Sequence, residues 1–371
     1  MEIEIKSAAR LHLRDPQPGI YQSVPFKKYA RIQAINQTSL KKILVSPLEY
    51  RACIEKADTD SPALQFGRII HLLCLEPRSV RSRVAVWPGE RKGLTWEVVQ
   101  AAHAGKKKDV VVYAGDHRRG KEWTTFRADH PNAVILTRSE WDAATDFVAK
   151  HTNKSNPFRK RELVTQTEFD RIKRMAAAVR KHPLADVLCK TPETQQWREL
   201  TLVWNEPLPN GDTILCKARL DLIFVDQNLE ETIVDLKSTR RKTAKEFAQD
   251  CRAYGYDFQA DWYSRGWRAL TGRKLPYNHQ FQFLTVEGDN LDVNRYWLPE
   301  DALTAGRVKV QRALDRLTQC QSTNTWPGAN NDQAEELSAH PWFYDDAIDT
   351  PALDGFSDTT TPLPELEDVN A

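Results

Sequence analysis

Apolar and polar residues alternate along two neighbouring stretches, KARLDLIF opening at Lys217 and IVDLKST opening at Ile233. That period of two predicts a pair of β-strands. In the first, Ile214, Cys216, Ala218, Leu220 and Leu222 are expected on one face and Lys217, Arg219 and Asp221 on the other, because successive side chains point to opposite sides of a sheet. In the second, Asp235 and Lys237 share a face. The polar QNLEE between them, from Gln227, has the length of a hairpin connection. Pairing the strands brings two carboxylates and a lysine into one cleft.

The rest of the chain is organised around this pair. Residues 1–29 show no sustained period and read as an N-terminal arm. INQTSLKKIL then predicts a short helix capped by Asn36 or Thr38, and SPLEYRACIEK a second with Ser46 as cap and Pro47 at the first helical position. SPALQFGRIIHLLCLEP repeats that start at Ser61 and Pro62; it carries an apolar side of Phe66, Ile69, Ile70, Leu73 and Cys74, with His71 one turn after Gly67. A glycine there lets another backbone or a ligand approach closely.

Further on, DVVVYAGDHRRGKEW reads as a strand entering a basic turn. LTRSEWDAATDFV and VTQTEFDRIKRMA are related to each other, each opening on a capping box, Thr137 with Glu140 and Thr165 with Glu168. ELTLVWN from Glu199 is another strand. After the hairpin come a long amphipathic helical stretch from Ala244, breakable near Gly255, two strands in HQFQFLTVE and NRYWLP, and a last helix from Glu300.

Composition adjusts this picture at three points. The 371 residues suffice for one large or two ordinary domains. No charged-then-apolar leader and no apolar run of membrane-spanning length is present, so a soluble, cytoplasmic protein of a bacterial or phage-infected cell is expected. The net charge of +2 hides an asymmetry, because Tyr344 to Ala371 holds eight acidic and no basic residues; without them 53 basic residues face 43 acidic ones, about +10. A basic body with an acidic tail suits a polyanion-binding protein, and equally an ordinary solvated surface. The segment 321–371 is expected to be a C-terminal extension, disordered from about 344. The six cysteines form no C-x-x-C pair, which favours free thiols in a reducing compartment over metal or cluster ligands.

The candidate chemistry lies at Asp221, Asp235 and Lys237. Asp221 is flanked by Leu220, Leu222 and Ile223, where an unpaired charge is costly to desolvate. Two carboxylates held close repel unless a divalent cation lies between them, and oxygen ligands favour magnesium or manganese. A lysine beside such a cation can orient or deprotonate water and stabilise phosphoryl charge. A structural salt bridge of Lys237 with either aspartate explains the same spacing. His71 alone reads more readily as a satisfied core histidine than as a ligand. Gln259 and Tyr263, one turn apart, share a helix face suited to a phosphate and a base, or simply form a polar rim. Lys217 and Arg219, on the face of Asp221, can neutralise phosphates. GDHRRGKE from Gly115 has phosphate-loop spacing, but Glu122 stands where a magnesium-holding Ser or Thr is needed, so it reads as a basic turn.

In order, His71, Glu199, Asp221, Asp235-Leu236-Lys237 and Gln259 with Tyr263 resemble the PDDEXK nuclease superfamily, in its RecB-like branch. The stretch from Ile35 to Pro77, with KARLDLI, IVDLKST and AYGYDFQADWY, resembles RecE-type exodeoxyribonuclease VIII and its phage relatives, over roughly residues 30 to 320. The resemblance implies an α/β fold, a restriction-endonuclease-like central mixed sheet flanked by helices, with extra N-terminal helices. The exonuclease domain would span 30–320, with a helical insertion at about 93–161 that is longer than the family pattern. It implies Mg²⁺-dependent 5′→3′ degradation of linear double-stranded DNA to leave 3′ tails for recombination, with Mn²⁺ able to substitute. It implies a ring-shaped homo-oligomer working beside a RecT-like annealing protein. Residue by residue, it gives His71, Asp221, Asp235 and the Leu236 carbonyl as metal ligands, Lys237 as catalytic lysine, and Gln259 and Tyr263 as DNA-cleft residues. Glu199 matches a recurrent acidic position with no role assigned. The second acidic residue is Asp235 where the superfamily name has Glu.

Two other functions fit parts of the chain. A RecB- or Cas4-like nuclease of other polarity would carry an iron–sulfur cluster, but only Cys320 follows the Gln259 helix, so no cluster is expected. A non-catalytic DNA-binding scaffold needs none of the Asp221, Asp235 and Lys237 set.

Overall fold

A computed structural model describes residues 3–55, 61–87, 110–113, 118–131, 134–151, 161–185, 188, 196–225, 230–273, 281–331 and 333–334. The expected tail disorder, the hairpin tip from Gln227, the first residues of the GDHRRGKE turn and Cys189 lie outside these. Two compact units divide at Gly328 and Ala329, and every element below lies in the first. The strands are β1 (Ile5–Ser7), β2 (Gly19–Gln22), β3 (Val84–Trp87), β4 (Val110–Tyr113), β5 (Val134–Thr137), β6 (Glu162–Thr165), β7 (Gln196–Pro207), β8 (Thr213–Val225), β9 (Glu231–Thr239), β10 (Phe281–Glu287) and β11 (Val293–Trp297). The helices are α1 (Phe26–Ala30), α2 (Gln37–Lys42), α3 (Pro47–Glu55), α4 (Pro62–Leu75), α5 (Val80–Arg83), α6 (Gly120–Asp129), α7 (Arg138–His151), α8 (Gln166–Lys181), α9 (Ala244–Tyr254), α10 (Tyr256–Thr271) and α11 (Glu300–Thr323).

Seven strands form one mixed sheet in the order β1-β2-β7-β8-β9-β10-β11. β7, β8 and β9 run antiparallel in sequence, and the helices α9 and α10 carry the chain across to β10, parallel to β9. Such a crossover is what parallel neighbours require. One face of the sheet packs Leu202, Trp204, Ala218 and Leu220 against α2, α9, α10 and α11, including the fully buried Phe258, Trp262 and Trp267. The other face packs Val234, Leu236, Leu284 and Val286 against α4 and α8. Each fully buried aromatic or aliphatic side chain contributes about 1.5–3 kcal/mol. The architecture is therefore the expected α/β fold with a central mixed sheet flanked by helices.

Local signals account for most helix boundaries. Asn36 caps α2 in a reciprocal box with Ser39, and the Ser46 and Ser61 hydroxyls accept from Glu49 N and Leu64 N. Thr165 and Glu168 form the box that opens α8; Thr137 and Glu140 make the same pair of bonds ahead of α7. The likeness between these segments extends to the strands before them, since β5 pairs in parallel with β4 and β6 in parallel with β3. Gly255 takes the left-handed conformation (φ 65°) and separates α9 from α10; a Cβ there would come within 2.8 Å of the Lys41 side chain.

Two expectations need correction. Residues 1–29, read as an arm, supply β1 and β2 to the sheet and bury Leu11, Tyr21 and Val24. The period there is hidden because the strands are only 3 and 4 residues long. The second correction concerns alternation along β8. Leu220 and Ile223 pack on the α10 side, but Leu222 packs with α4 and α8. Its neighbour β7 breaks at the same level: Leu200 and Trp197 share the α10 side, and Glu199 between them is left-handed (φ 54°). The ladder pairs Arg198 with Leu222 and Leu200 with Leu220, and no pairing joins Glu199 to Asp221 opposite it. Register is kept on both sides, so the two strands turn over together at this point.

A carboxylate and lysine cleft at the centre of the sheet

That interruption sets one half of the site. β8 pairs with β9 only from Leu222 to Val225, so the two strands part at Asp221. Asp221 Oδ2 takes the place of the missing ladder acceptor, receiving the Leu236 N–H at 2.7 Å. The N–H and C=O of one strand residue point the same way, so the Leu236 carbonyl also faces the gap. From α4, His71 places Nδ1 3.2 Å from Asp221 Oδ1. Ligand-capable atoms of His71, Glu199 and Asp221 lie within 4.8 Å of one another. Glu199 is held by Arg219 through Nε and Nη2, and Arg219 Nη1 donates to the Val24 carbonyl at 3.0 Å.

The other half stands on regular structure. Asp235 and Lys237 share the α10 face of β9, as the alternation predicts. Gln259 Nε2 donates to Asp235 Oδ1 at 2.7 Å, and Lys237 Nζ donates to Gln259 Oε1 at 3.2 Å. Lys237 Nζ also lies 2.7 Å from Asp235 Oδ2 and 4.5 Å from the centre of the Tyr256 ring. Tyr263, next to Gln259 on α10, is buried against Phe281.

The charges are mutually dependent. Burial by itself would push His71 down, but the Asp221 carboxylate, by charge and hydrogen bond, carries it up to about 9. Burial resists ionisation of Asp221 as well, yet His71 beside it, with Lys237 further off, holds its carboxyl below the usual range. Asp235 and Glu199 are both raised, chiefly by burial. Burial opposes the Lys237 charge; Asp235 outweighs it and raises the ammonium, so the lysine is a donor here. Burial pushes the Tyr256 phenol up to about 12, which leaves a neutral ring facing that ammonium.

Three carboxylates therefore converge with three cations, His71, Lys237 and Arg219. A divalent cation fits this donor set. Asp221, Asp235, Glu199 and the Leu236 carbonyl offer hard oxygens, which suit magnesium or manganese. Asp235 Oδ2 is buried with the Lys237 ammonium 2.7 Å away, while Oδ1 accepts from Gln259.

The expected site residues thus divide. His71, Asp221, Asp235, Leu236, Lys237 and Gln259 come together, and Glu199 joins them with a definite place beside Asp221 and His71. Lys217 and Arg219 do not serve as expected. Lys217 is 4% exposed and donates to the carbonyls of Tyr29, Ala30 and Ile32, while Arg219 is engaged by Glu199 and Val24. Both cations anchor the N-terminal segment, because β8 is central and covered there. At Gly67 no other backbone among the described residues approaches within 4 Å of an added Cβ, which would meet Ser238 Oγ at 3.9 Å. Sequence reasoning missed Tyr256, whose only signal was its place one turn before Gln259 on the same helix.

A mixed sheet whose central strands deliver Asp221, Asp235 and Lys237 to one cleft defines a PDDEXK-type core. Residues 132–338 match the family described as "PDDEXK-like domain of unknown function (DUF3799)", and the chain belongs to that family. The matched segment carries Glu199, Asp221, Asp235, Lys237 and Gln259; His71 precedes it. No curated protein matches the sequence. Among solved structures, a candidate exonuclease from Eubacterium rectale is 13% identical, with 86% of this chain and 94% of that one covered and a TM-score of 0.41. The structure of SSO0001 is 12% identical, with 60% and 84% covered and a TM-score of 0.26. At that likeness neither adds to what the residues themselves argue.

Proposed function

We propose that the protein is a metal-dependent exodeoxyribonuclease that degrades linear double-stranded DNA from the 5′ end and leaves 3′ single-stranded tails for phage or prophage recombination. The observation that carries the nuclease reading is that Asp221 accepts from the Leu236 N–H between Asp235 and Lys237 and is coupled by charge to both, with His71 and Glu199 beside it. Membership in a PDDEXK-like family supports it. Resemblance to RecE-type exonucleases supplies the polarity, the ring-shaped homo-oligomer and a RecT-like annealing partner.

Asp221, Asp235, Glu199, His71 and the Leu236 carbonyl would hold the cation, Mg²⁺ or Mn²⁺ in its place. When bound, it supplies Lewis-acid polarisation of the scissile phosphate and of water. The chain's own residues do the rest. Lys237, kept as an ammonium beside Asp235, donates to a phosphoryl oxygen where negative charge develops. Gln259 fixes both Asp235 and Lys237 by its two amide atoms, and Tyr263 backs Gln259 against the sheet.

Linear duplexes labelled at the 5′ or the 3′ end, with a closed circle as control, test this reading. Early release of the 5′ label in Mg²⁺ with an intact circle is the expected result. Early release of the 3′ label reverses the polarity, and loss of the circle makes the protein an endonuclease. Binding of linear DNA without cleavage in either Mg²⁺ or Mn²⁺ leaves a scaffold role instead.

No helix among the described residues is long and apolar enough to cross a membrane. Work on DNA in the cytoplasm is part of the proposal.

A further inference from the structure

Among the described residues, the Lys237 ammonium meets Asp235 and Gln259 through charge and hydrogen bond, and the Tyr256 ring without either. Asp235 and Gln259 lie on one side. On another, the Tyr256 ring comes within 4.5 Å of Nζ, the range in which a ring quadrupole attracts a cation. The ring is itself held in place. Tyr256 is the first residue of α10, directly after left-handed Gly255, so its backbone direction is set by the helix break. Its ring packs on Phe283 at 5.3 Å and Phe247 at 6.0 Å, and stacks with Tyr254 at 5.8 Å. Phe283 is the β10 residue paired with Asp235. The aromatic group is thereby keyed to the strand that carries the acidic partner of the lysine. Among the described residues no hydrogen bond engages the Tyr256 hydroxyl, so the ring face is what the lysine meets.

A lysine side chain has many rotamers, and the carboxylates of Asp221 and Asp235 both attract it. Without the ring on that side, the ammonium can turn from Asp235 and Gln259 towards Asp221. On the nuclease reading above, we infer that Tyr256 is a positioning residue that holds Lys237 in its catalytic orientation through its ring face and not its hydroxyl.

Two measurements on the full chain test this. With lysine ¹³C-labelled at Cε, the Lys237 signal, assigned from Lys237→Arg, should be shifted upfield by the ring current. The shift should persist in Tyr256→Phe and vanish in Tyr256→Leu. In single-turnover digestion of a linear duplex with Mg²⁺, Tyr256→Leu should be slowed roughly tenfold, as expected for losing a partly desolvated cation–π contact. Duplex affinity measured in Ca²⁺ should stay unchanged, Tyr256→Phe should retain most of the rate, and Tyr256→Leu should add nothing in a Lys237→Ala background. An unshifted Lys237 signal overturns the inference. So does a Phe variant as slow as the Leu variant, or a Leu effect that persists without Lys237. A shifted signal in a wild-type protein that cuts no DNA refutes the nuclease reading while leaving the lysine–ring contact established.

Discussion

The two halves of the cleft are built in opposite ways. Asp235 and Lys237 share one face of a regular strand, and Gln259 reaches both from a regular helix. His71, Glu199 and Asp221 meet because two strands break their alternation at one level and part there. The first half is held by the β10 ladder, which pairs Asp235 with Phe283 and Lys237 with Thr285. The second spends ladder hydrogen bonds and a left-handed residue to point acceptors into a gap. Strained backbone at a cluster of carboxylates is what a ligand site needs and a plain core does not.

The sharpest way to break this comparison is to remove the regular half. Asp235→Asn or Lys237→Ala is expected to lower duplex cleavage by at least about 10²–10³-fold, the scale of losing a charge-stabilising group, with circular dichroism and melting temperature little changed. Near-wild-type digestion by either variant removes the assignment.

The irregular half is tested by metal rather than by turnover. Addition of Mg²⁺ or Mn²⁺ at about 100 times its Kd should stabilise the wild type by about 2.7 kcal/mol, and chelation should reverse it. Asp221→Asn should lose most of that gain, as should Glu199→Gln. A full metal-induced rise in melting temperature in Asp221→Asn would place the cation elsewhere.

Lys217 separates a structural cation from a DNA-binding one. Lys217→Ala removes a buried donor shared by three carbonyls, of which Tyr29 and Ile32 keep the N–H donors of Ile32 and Ala34, and should cost about 1–3 kcal/mol in denaturant unfolding. The salt dependence of duplex binding should not change. A slope reduced by about one would return Lys217 to the phosphate-contacting role.

The smallest effect is expected at Gly67. Among the described residues, Ala there meets Ser238 Oγ and should stabilise α4 by about 0.5–1 kcal/mol in chemical denaturation. A loss of stability would mean that the helix is closer to β9 than the 3.9 Å contact indicates.

The sequence by itself determined α2, α3, α4, α7 and α8, through caps at Asn36, Ser46, Ser61, Thr137 and Thr165 whose partners lie within a few residues. It put Asp235 and Lys237 on one strand face and Gln259 with Tyr263 on one helix face, because these residues obey the periods of a strand and a helix. Local hydrogen bonds and periodicity need no knowledge of distant contacts. Tertiary structure decided the rest. The short strands β1 and β2 carry too few residues to show a period. Lys217 has a donor's freedom in sequence, but its three acceptors lie more than 180 residues away. The turnover of β7 and β8 at Glu199 and Asp221 depends on both strands at once. Alternation is a property of one strand, whereas the gap that receives Asp221 beside Leu236 exists only between strands.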